Sequence, residues 1–488
     1  MSSSTKAMTV LYLTYDGLTD PLGQSQVLPY LEGLSRRSPS TRVIRHGSLA
    51  DEALAQDSAP RALPVGLHYR FVVLSFEKPG VASDEAMARI RERCRAQGIV
   101  WHPLRYHKWP PTISTVYDLL RGVVAAGQLC QRYRPLWLHA RSDIAALIGL
   151  MLKRLTGIPM IFDMRGFWVR ERIDGGIWRD GSWLVRGADR VERWLVNGAD
   201  RIVVLTEAMA EELKRRGASA PISVIPTCVD TELFRPERAA VRVVGQLAGN
   251  GSTASDSGPT LVYAGSLGTV YMLDEVLRFS AEAFRHWGGG RLLLVSPQSD
   301  EPFVAEAIAR CGLSPRVVCV RAGYREVPRW LAQADAGIAF YKPGPSVIGR
   351  YPTKIGEYLA CGIPAVVNRH VPDATQLLEQ HRVGTVIDRF EPEAFRLAAE
   401  RLRELWRDGE ELRHRCRRVA EERLSVSVGV ERYRQLYESL GRGSCVAGRT
   451  SRVAGDQIHG AGQVLGVEVS RTTCDIRHAT IVGEEVPR

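Results

Sequence analysis

The sequence predicts an α/β protein built around two parallel sheets. Short apolar runs typical of buried strands recur along the 488 residues with helical patterns between them. They form two series, the first at residues 10–14, 71–76, 136–139, 160–162, 202–205 and 223–225, and the second at residues 261–264, 292–295, 317–320, 337–340 and 365–367. The length corresponds to about three average domains or two large ones.

Spacing and capping residues mark the helices. Thr206 is suited to cap a helix that ends near Gly217. An apolar face at helical spacing, which we expect to be buried, is formed by Val116, Leu119, Leu120, Val123, Gly127 and Cys130. A second apolar stripe, on a helix that we expect to pack back across the first domain, is formed by Val426, Val430, Tyr433, Tyr437 and Leu440.

Three stretches interrupt this pattern and set the domain boundaries. Residues 38–68 replace a tight turn and predict an insertion loop, residues 237–258 are rich in Gly, Ser and Ala, and residues 441–488 have weak periodicity. We expect the last two to be flexible and disordered, respectively. The predicted organisation is a first domain over 1–230, a second over 231–425, a crossover helix over 426–440 and a tail over 441–488.

Composition and charge exclude several classes of protein. Hydrophobic residues make up 45% and charged residues 24%, values typical of a folded globular protein. Sixty-five basic against 54 acidic residues give a net charge of +11. This excess predicts a local patch for anionic ligands or an anionic membrane surface, and no nucleic-acid partner. Nine scattered cysteines without a C-x2-C pair indicate neither a disulfide scaffold nor a zinc site.

The N-terminus and the apolar stretches predict a cytoplasmic protein, soluble or peripheral to a membrane. The apolar run at residues 8–13 has no small-residue cleavage site after it, so we expect no secretory signal. The longest apolar stretch, residues 144–152, is far shorter than the ~20 residues that span a bilayer.

Residues 351–367, YPTKIGEYLACGIPAVV, predict an anion site at the start of a helix. Thr353 is suited to cap the helix, and free backbone N–H groups near Lys354 would face a ligand. Glu357, one turn further on, is placed to accept hydrogen bonds from a ribose diol. The alternative is an ordinary capped helix with Lys354 and Glu357 paired on the surface.

Two strand-to-loop segments carry further candidate ligand contacts. Residues 261–268, LVYAGSLG, predict a buried strand that ends in a turn, where Gly265, Ser266 and Gly268 let backbone amides approach a phosphate. The G-x-G-x-x-G fingerprint is absent, so a dinucleotide-dependent dehydrogenase has no support. Gly23 and Gln24 follow the first strand at its carboxyl end, where ligands bind open α/β sheets.

These segments together resemble the family 4 glycosyltransferases, nucleotide-sugar enzymes of the GT-B fold. Residues 222–236, ISVIPTCVDTELFRP, are similar to the I-P-N-G-V-D-x-x-x-F-x-P signature at the domain junction of that family. The resemblance implies two Rossmann-like domains facing a cleft, with the acceptor bound mainly by the first and the nucleotide-sugar by the second. It also implies transfer with retention of anomeric configuration and no metal or other cofactor; the sequence contains no Asp-x-Asp pair.

The sequence departs from the family pattern at two places. The family carries Glu-x7-Glu, in which the second carboxylate holds the ribose and the first touches the donor sugar; Glu357 matches the second, and Gly349 stands at the first. The basic pair that clamps the pyrophosphate in the family is absent from residues 266–272. Lys354, with Arg350, is the candidate to supply that charge.

In the first domain, His139, Arg141, Asp163 and Arg165 stand where the family brings strand ends to the cleft. Arg165 is suited to hold a leaving phosphate or an acidic acceptor through a forked hydrogen bond, or else to form a buried structural pair with Asp163. His139 either fills the strand end or acts as a base. The predicted catalytic residues are Asp163, Arg165 and Lys354; the donor site comprises Gly265, Ser266, Gly268, Thr353, Lys354 and Glu357; the acceptor side comprises Gly23, Gln24, His139 and Arg141.

The resemblance predicts a retaining glycosyltransferase that moves a sugar to a hydroxyl acceptor, a polysaccharide or lipid-linked glycan intermediate. The alternatives are a sugar-nucleotide 2-epimerase of the same fold and a non-catalytic scaffold. Aromatic and basic residues interleaved in one segment suit either contact with an anionic membrane or helix packing. The aromatic members of that segment are Trp168, Trp178, Trp183 and Trp194.

Overall fold

The computed structural model describes residues 8–36, 69–110, 112–236, 258–268 and 270–440. The predicted insertion at 38–68, the segment 237–257 and the tail at 441–488 lie outside these described residues. Residues up to Leu436 belong to one compact unit, which contains both sheets.

The first sheet is parallel throughout, as predicted, and its strands lie in the order β3-β2-β1-β4-β5-β6-β7. Helices cover both faces, so the central strands are buried on both sides and read as continuous apolar runs. The strands are β1 Met8–Thr14, β2 Tyr69–Glu77, β3 Val100–Arg105, β4 Trp137–Arg141, β5 Met160–Asp163, β6 Arg201–Val204 and β7 Ile222–Val224.

The second sheet is also parallel, in the order β10-β9-β8-β11-β12-β13. Its strands are β8 Thr260–Ala264, β9 Arg291–Val295, β10 Val317–Val320, β11 Ala336–Ala339, β12 Ala365–Asn368 and β13 Gly384–Ile387. The sequence patterns missed β3 and β13. Both are edge strands, and β3 contains Pro103 and is only partly buried, so neither carries a clear apolar run.

Helices connect the strands in both domains. Those of the first domain are Pro21–Gln26, Leu28–Ser35, Asp84–Ala96, Ile113–Tyr133, Asp143–Thr156, Trp168–Asp174, Trp183–Gly198 and Glu207–Arg215. Those of the second are Leu273–Trp287, Pro302–Arg310, Val327–Leu331, Thr353–Ala360, Pro372–His381, Pro392–Trp406 and Glu410–Val419. Thr206 caps Glu207–Arg215 as predicted, since its hydroxyl accepts a hydrogen bond from the Met209 backbone N–H at 3.1 Å.

The sequence predicted the wrong buried face for the helix Ile113–Tyr133: the helix is rotated about its axis by part of a turn from the predicted orientation. Val116 and Leu120 lie in solvent, and the face turned toward the sheet is formed by Ser114, Asp118, Gly122, Ala126, Leu129 and Cys130. Close packing decides this orientation. A Cβ on Gly122 would lie 2.5 Å from Ile148 and 3.1 Å from Phe76, so the glycine allows the helix to approach its neighbours.

The helix that begins at residue 426 packs back across the first domain, as its apolar stripe predicted. The Tyr433 ring meets the Tyr30 ring edge-on at 5.5 Å. Gly33 leaves room for Val430, whose side chain would lie 2.5 Å from a Cβ at that position. Among the described residues, no helix is long and apolar enough to cross a membrane.

Candidate functional site in the cleft between the two sheets

The two sheet domains meet through a short segment of the second domain, residues 342–350. The Ser346 backbone N–H donates to an Asp174 carboxylate oxygen at 2.9 Å, and the Thr206 hydroxyl donates to the Ile348 carbonyl at 2.5 Å. Asp373 accepts hydrogen bonds from the backbone N–H groups of Glu207 at 2.7 Å and Ala208 at 3.3 Å. A carboxylate of the second domain therefore binds the N-terminus of a first-domain helix.

Lys354 lies buried at the base of the second domain's side of the cleft. Its Nζ donates to the Tyr263 hydroxyl at 2.8 Å and lies 4.1 Å and 4.2 Å from the ring centres of Tyr263 and Tyr271. Burial lowers the pKa of Lys354 to about 7, although the Glu357 charge opposes this shift. The ammonium is held by ring faces instead of a carboxylate, so its charge remains available to an anion.

The predicted glycine turn lies directly against Lys354. Gly265 has φ +128° and Gly268 has φ +83°, a region that favours glycine. A Cβ on Gly265 would lie 2.9 Å from Lys354 Nζ, so any side chain there would displace the lysine. The Tyr263 hydroxyl donates to the Ser266 carbonyl at 2.6 Å and fixes the turn. The structure thus brings two separately predicted donor-site motifs together.

Glu357 is buried one turn after Lys354, which excludes the alternative of a surface pair. Burial raises the pKa of Glu357, and the nearby Lys354 charge works in the opposite direction. No donor among the described residues forms a hydrogen bond with its carboxylate. A ligand hydroxyl can therefore donate to this carboxylate.

The cap predicted for this helix is wrong in one detail. Pro352 is the N-cap residue and Thr353 is the first helical residue, and no side chain caps the helix. The first backbone N–H groups of the helix therefore have no side-chain acceptor. They can donate to an anionic ligand, as predicted.

Gly349 stands where the family pattern has its first glutamate, and packing explains the small residue. A Cβ there would lie 3.2 Å from Met209 and from Phe167, and 3.4 Å from Gly166. The neighbouring Arg350 points across the cleft, with Nη2 3.5 Å from Glu171 Oε1. Arg350 is therefore already engaged with a carboxylate of the first domain.

On the first-domain side, Asp163 is surrounded by donors. It accepts a hydrogen bond from the Tyr433 hydroxyl at 2.9 Å and lies 3.4 Å from His139 Nε2 and 3.3 Å from Arg165 Nη1. Burial favours a higher pKa for Asp163, but Arg165, His139 and Arg141 outweigh it and hold the pKa well below its usual range. This carboxylate is suited to orient Arg165 and is a poor proton acceptor.

The other predicted acceptor-side residues lie at the same edge. Arg141 is buried and pairs with Asp16, which follows β1. Gln24 donates to the Thr19 carbonyl at 2.8 Å, and buried Gly23 packs on the backbone of Gly17. Arg141 therefore lies next to the loop that begins at Asp16, whereas the Gln24 amide, in the helix Pro21–Gln26, is already bonded to that loop.

Sequence reasoning missed several residues that shape the cleft. Tyr263 lies within an apolar strand, so its sequence context indicates a core residue. Glu171 belongs to no recognisable motif.

Glu77 could have been identified from the sequence, because it is a charged residue at the end of the apolar strand β2. Its buried carboxylate accepts from the Leu18 N–H at 2.8 Å, from the Thr19 N–H and hydroxyl at 3.0 and 2.6 Å, and from the Ser75 hydroxyl at 2.6 Å. These bonds fix the loop after β1.

Most of the tryptophans between residues 168 and 194, for which the sequence allowed either membrane contact or helix packing, are used in packing. Trp168 and Trp178 meet edge-on at 5.0 Å, and Arg154 lies 4.5 Å from the Trp194 ring centre. Trp183 is 79% exposed. Within the described ranges, no group of three His, Cys, Asp or Glu side chains is arranged to hold a metal ion.

Comparison with known families and structures connects this cleft to one class of protein. Residues 63–228 match the model of a glycosyl transferase 4-like domain, and residues 258–405 match that of the glycosyl transferases group 1. The matches fall on the first and second sheet domains. No curated protein sequence matches significantly.

Solved structures of low sequence identity share the two-domain fold. Sucrose-phosphate synthase from Thermosynechococcus elongatus has a TM-score of 0.62 at 14% identity, over 89% of this chain and 100% of that chain. Anabaena Alr3699/HepE, solved with UDP and glucose, has a TM-score of 0.61 at 14% identity, over 88% and 100%. The lipopolysaccharide outer core galactosyltransferase WaaB, in its apo form, has a TM-score of 0.55 at 12% identity, over 88% and 99%.

Proposed function

Since this chain belongs to the family 4-like glycosyltransferases and has the GT-B fold, we propose that it transfers a sugar, with retention of configuration, from a nucleotide-sugar to a hydroxyl acceptor. One observation carries the proposal. The buried Glu357 side chain, the Lys354 amine and the Gly265 turn lie together at the carboxyl edge of the second sheet. Glu357 complements a ribose. Lys354 complements a phosphate, and the turn at Gly265 complements another oxygen of the pyrophosphate.

In the proposed complex, the ribose diol donates to Glu357. The pyrophosphate lies between the amides of residues 265–268 and the helix start at Thr353 and Lys354. Lys354 is buried and lies against Gly265. Its amine therefore contacts the leaving phosphate in this complex. The Anabaena structure that contains UDP and glucose makes UDP-sugars the first donors to test.

Catalysis in this proposal depends on positioning and charge. Cleavage of the sugar–phosphate bond builds negative charge on the departing phosphate, and each preorganised donor aimed at such a charge contributes roughly 3 to 4 kcal/mol. The helix terminus adds about 0.3 to 2 kcal/mol. With retention, the acceptor hydroxyl attacks on the leaving-group face, so the departing phosphate itself takes the proton. No metal ion and no side-chain base are required.

The proposed acceptor is a polysaccharide or lipid-linked glycan intermediate, presented at the inner face of a membrane. The net positive charge of the chain supports an anionic surface, and WaaB is a galactosyltransferase of the lipopolysaccharide outer core. Arg165, oriented by Asp163, is the first-domain group proposed to contact an acidic acceptor or the leaving phosphate.

Calorimetric titration of the full chain with UDP-, GDP- and ADP-sugars tests the donor site. We expect one nucleotide class to bind. Glu357→Gln should weaken that binding about tenfold or more, because the amide carries no charge and has one acceptor oxygen where the carboxylate has two. Glu379→Gln, at an exposed carboxylate of the same domain, is the control. NMR of the product anomer then tests retention. Release of free sugar without an acceptor would favour the 2-epimerase alternative, and absence of binding to every donor would favour a non-catalytic scaffold.

A further inference from the structure

One face of the helix Ile113–Tyr133 leaves a continuous apolar surface in solvent. Trp109, in the preceding loop, extends this surface, and all six side chains are between 51% and 80% exposed. The helical spacing of Ile113, Val116, Tyr117, Leu120 and Val124 puts these five on one side of the helix. We call this surface the docking stripe; it consists of Trp109, Ile113, Val116, Tyr117, Leu120 and Val124. Contiguous exposed apolar surface marks an interaction site.

Within the sequence segment 105–136, the exposed charged residues next to the docking stripe are basic. Asp118 is the single acidic residue in the sequence from 105 to 136, and it is buried on the opposite side of the helix. There it accepts the His107 backbone N–H at 2.9 Å and lies 2.6 Å from His107 Nδ1. Arg105 and Lys108 are exposed and carry the positive charge of this surface. Arg121 lies 5.5 Å from the Tyr117 ring centre, and its Nη1 lies 3.9 Å from Asp118 Oδ1.

The docking stripe begins at the edge of the sheet where the acceptor side of the cleft lies. The Tyr15 hydroxyl donates to Asp118 at 3.3 Å and ties the helix to the loop after β1. The next residue, Asp16, pairs with Arg141. An acceptor held at a surface against the docking stripe would therefore reach the cleft from its open edge.

We propose that the docking stripe binds the surface of an anionic lipid bilayer. The helix would lie in the plane of the interface, with its apolar side chains among the acyl chains, Trp109 at the headgroup level and the basic residues on anionic headgroups. Pairing of two copies through the same stripe is disfavoured because it would bring two positively charged surfaces together.

This surface differs from the tryptophan segment that the sequence indicated. Arg170 in that segment is engaged by Asp189 at 2.8 Å and by Asp180 at 3.8 Å, so its positive charge is neutralised locally. The inference rests on the proposed function for the identity of the membrane-held acceptor. Binding to lipid itself needs neither donor nor acceptor.

Co-sedimentation of the full chain with phosphatidylcholine vesicles, with and without phosphatidylglycerol, tests the inference. We expect binding only to the anionic vesicles. Trp109→Ala and the double variant Ile113→Ser/Leu120→Ser should each weaken it about tenfold or more, and Lys108→Gln roughly fivefold at low salt. Trp183→Ala is the matched control because Trp183 is equally exposed, and it should bind as the wild type does.

Three results would overturn the inference: no binding of the wild type to anionic vesicles, loss of binding in Trp183→Ala but not in Trp109→Ala, or a change from dimer to monomer in the double variant by sedimentation velocity. An unchanged circular dichroism spectrum and an unchanged midpoint of thermal unfolding show that each variant is folded. Because the vesicles contain no nucleotide or glycan, failure here leaves the proposed transferase activity standing. Failure of nucleotide-sugar binding likewise leaves the lipid result standing.

Discussion

Lys354 donates its hydrogen bond to Tyr263, a neutral phenol, and its Nζ lies 4.1 Å from the centre of that ring. The hydroxyl of the same tyrosine holds the glycine turn through the Ser266 carbonyl. One side chain thus connects the cation and the turn that we assign to the pyrophosphate. A cation desolvated in this way loses its proton readily, and an anionic ligand restores it.

We predict that binding of UDP takes up most of one proton at pH 8. The free site has its Lys354 pKa lowered to about 7, so the amine is mostly neutral at pH 8, and the pyrophosphate raises that pKa. Affinity should therefore fall by up to about tenfold per pH unit above pH 8. Calorimetry in buffers of different ionisation enthalpy measures the uptake.

Lys354→Met should abolish both the proton uptake and the pH dependence, and Lys214→Met, on an exposed helix, should change neither. Proton release on binding, or an affinity that rises with pH, would contradict the assignment of Lys354 to the phosphate.

Tyr433→Phe should lower the free energy of unfolding by about 1 to 3 kcal/mol, because a buried hydrogen bond to the Asp163 carboxylate is lost. Denaturation in urea measures this difference. Tyr117→Phe, at a half-exposed ring, should stay within about 0.5 kcal/mol of the wild type. Equal stability of both variants would mean that the hydrogen bond from Tyr433 of the crossover helix to Asp163 does not contribute to the stability of the fold.

Asp373→Ala should destabilise the protein by about 0.5 to 2 kcal/mol, the cost of losing a helix N-cap. The lost cap lies across the domain boundary, so the radius of gyration from small-angle scattering should also increase. Ser83→Ala removes the side-chain cap of the helix Asp84–Ala96, which lies wholly within the first domain, and is the comparison. An unchanged radius for Asp373→Ala would show that other contacts suffice to hold the domains together.

Glu77→Ala should cost at least about 3 kcal/mol, because buried N–H and hydroxyl donors of the loop after β1 lose their acceptor. Thermal and urea unfolding measure the loss. Exposed Glu85→Ala should remain within about 0.5 kcal/mol of the wild type. A small effect at Glu77 would mean that the loop finds other acceptors.

Much of the fold was predictable because its signals are local. The central strands are buried on both faces, so each leaves a run of apolar residues, and Thr206 marks a helix start by its hydroxyl. The edge strand β3 was missed because it is only partly buried. A partly exposed strand tolerates polar residues and so leaves no continuous apolar run. The turn at Gly265 and the helix at Lys354 were identified separately, from glycine and capping patterns within a few residues.

The sequence by itself determined the two parallel sheets, the crossover helix and the motifs at the carboxyl ends of the strands, because short-range periodicity and backbone preferences encode them. Tertiary structure alone decided that Lys354 lies against Tyr263 and Tyr271, that Tyr433 reaches Asp163, and which side of the helix Ile113–Tyr133 faces solvent. These outcomes depend on contacts between residues far apart in the chain. Close packing at glycines such as Gly122, and not local pattern, selects among orientations that the sequence leaves equally open.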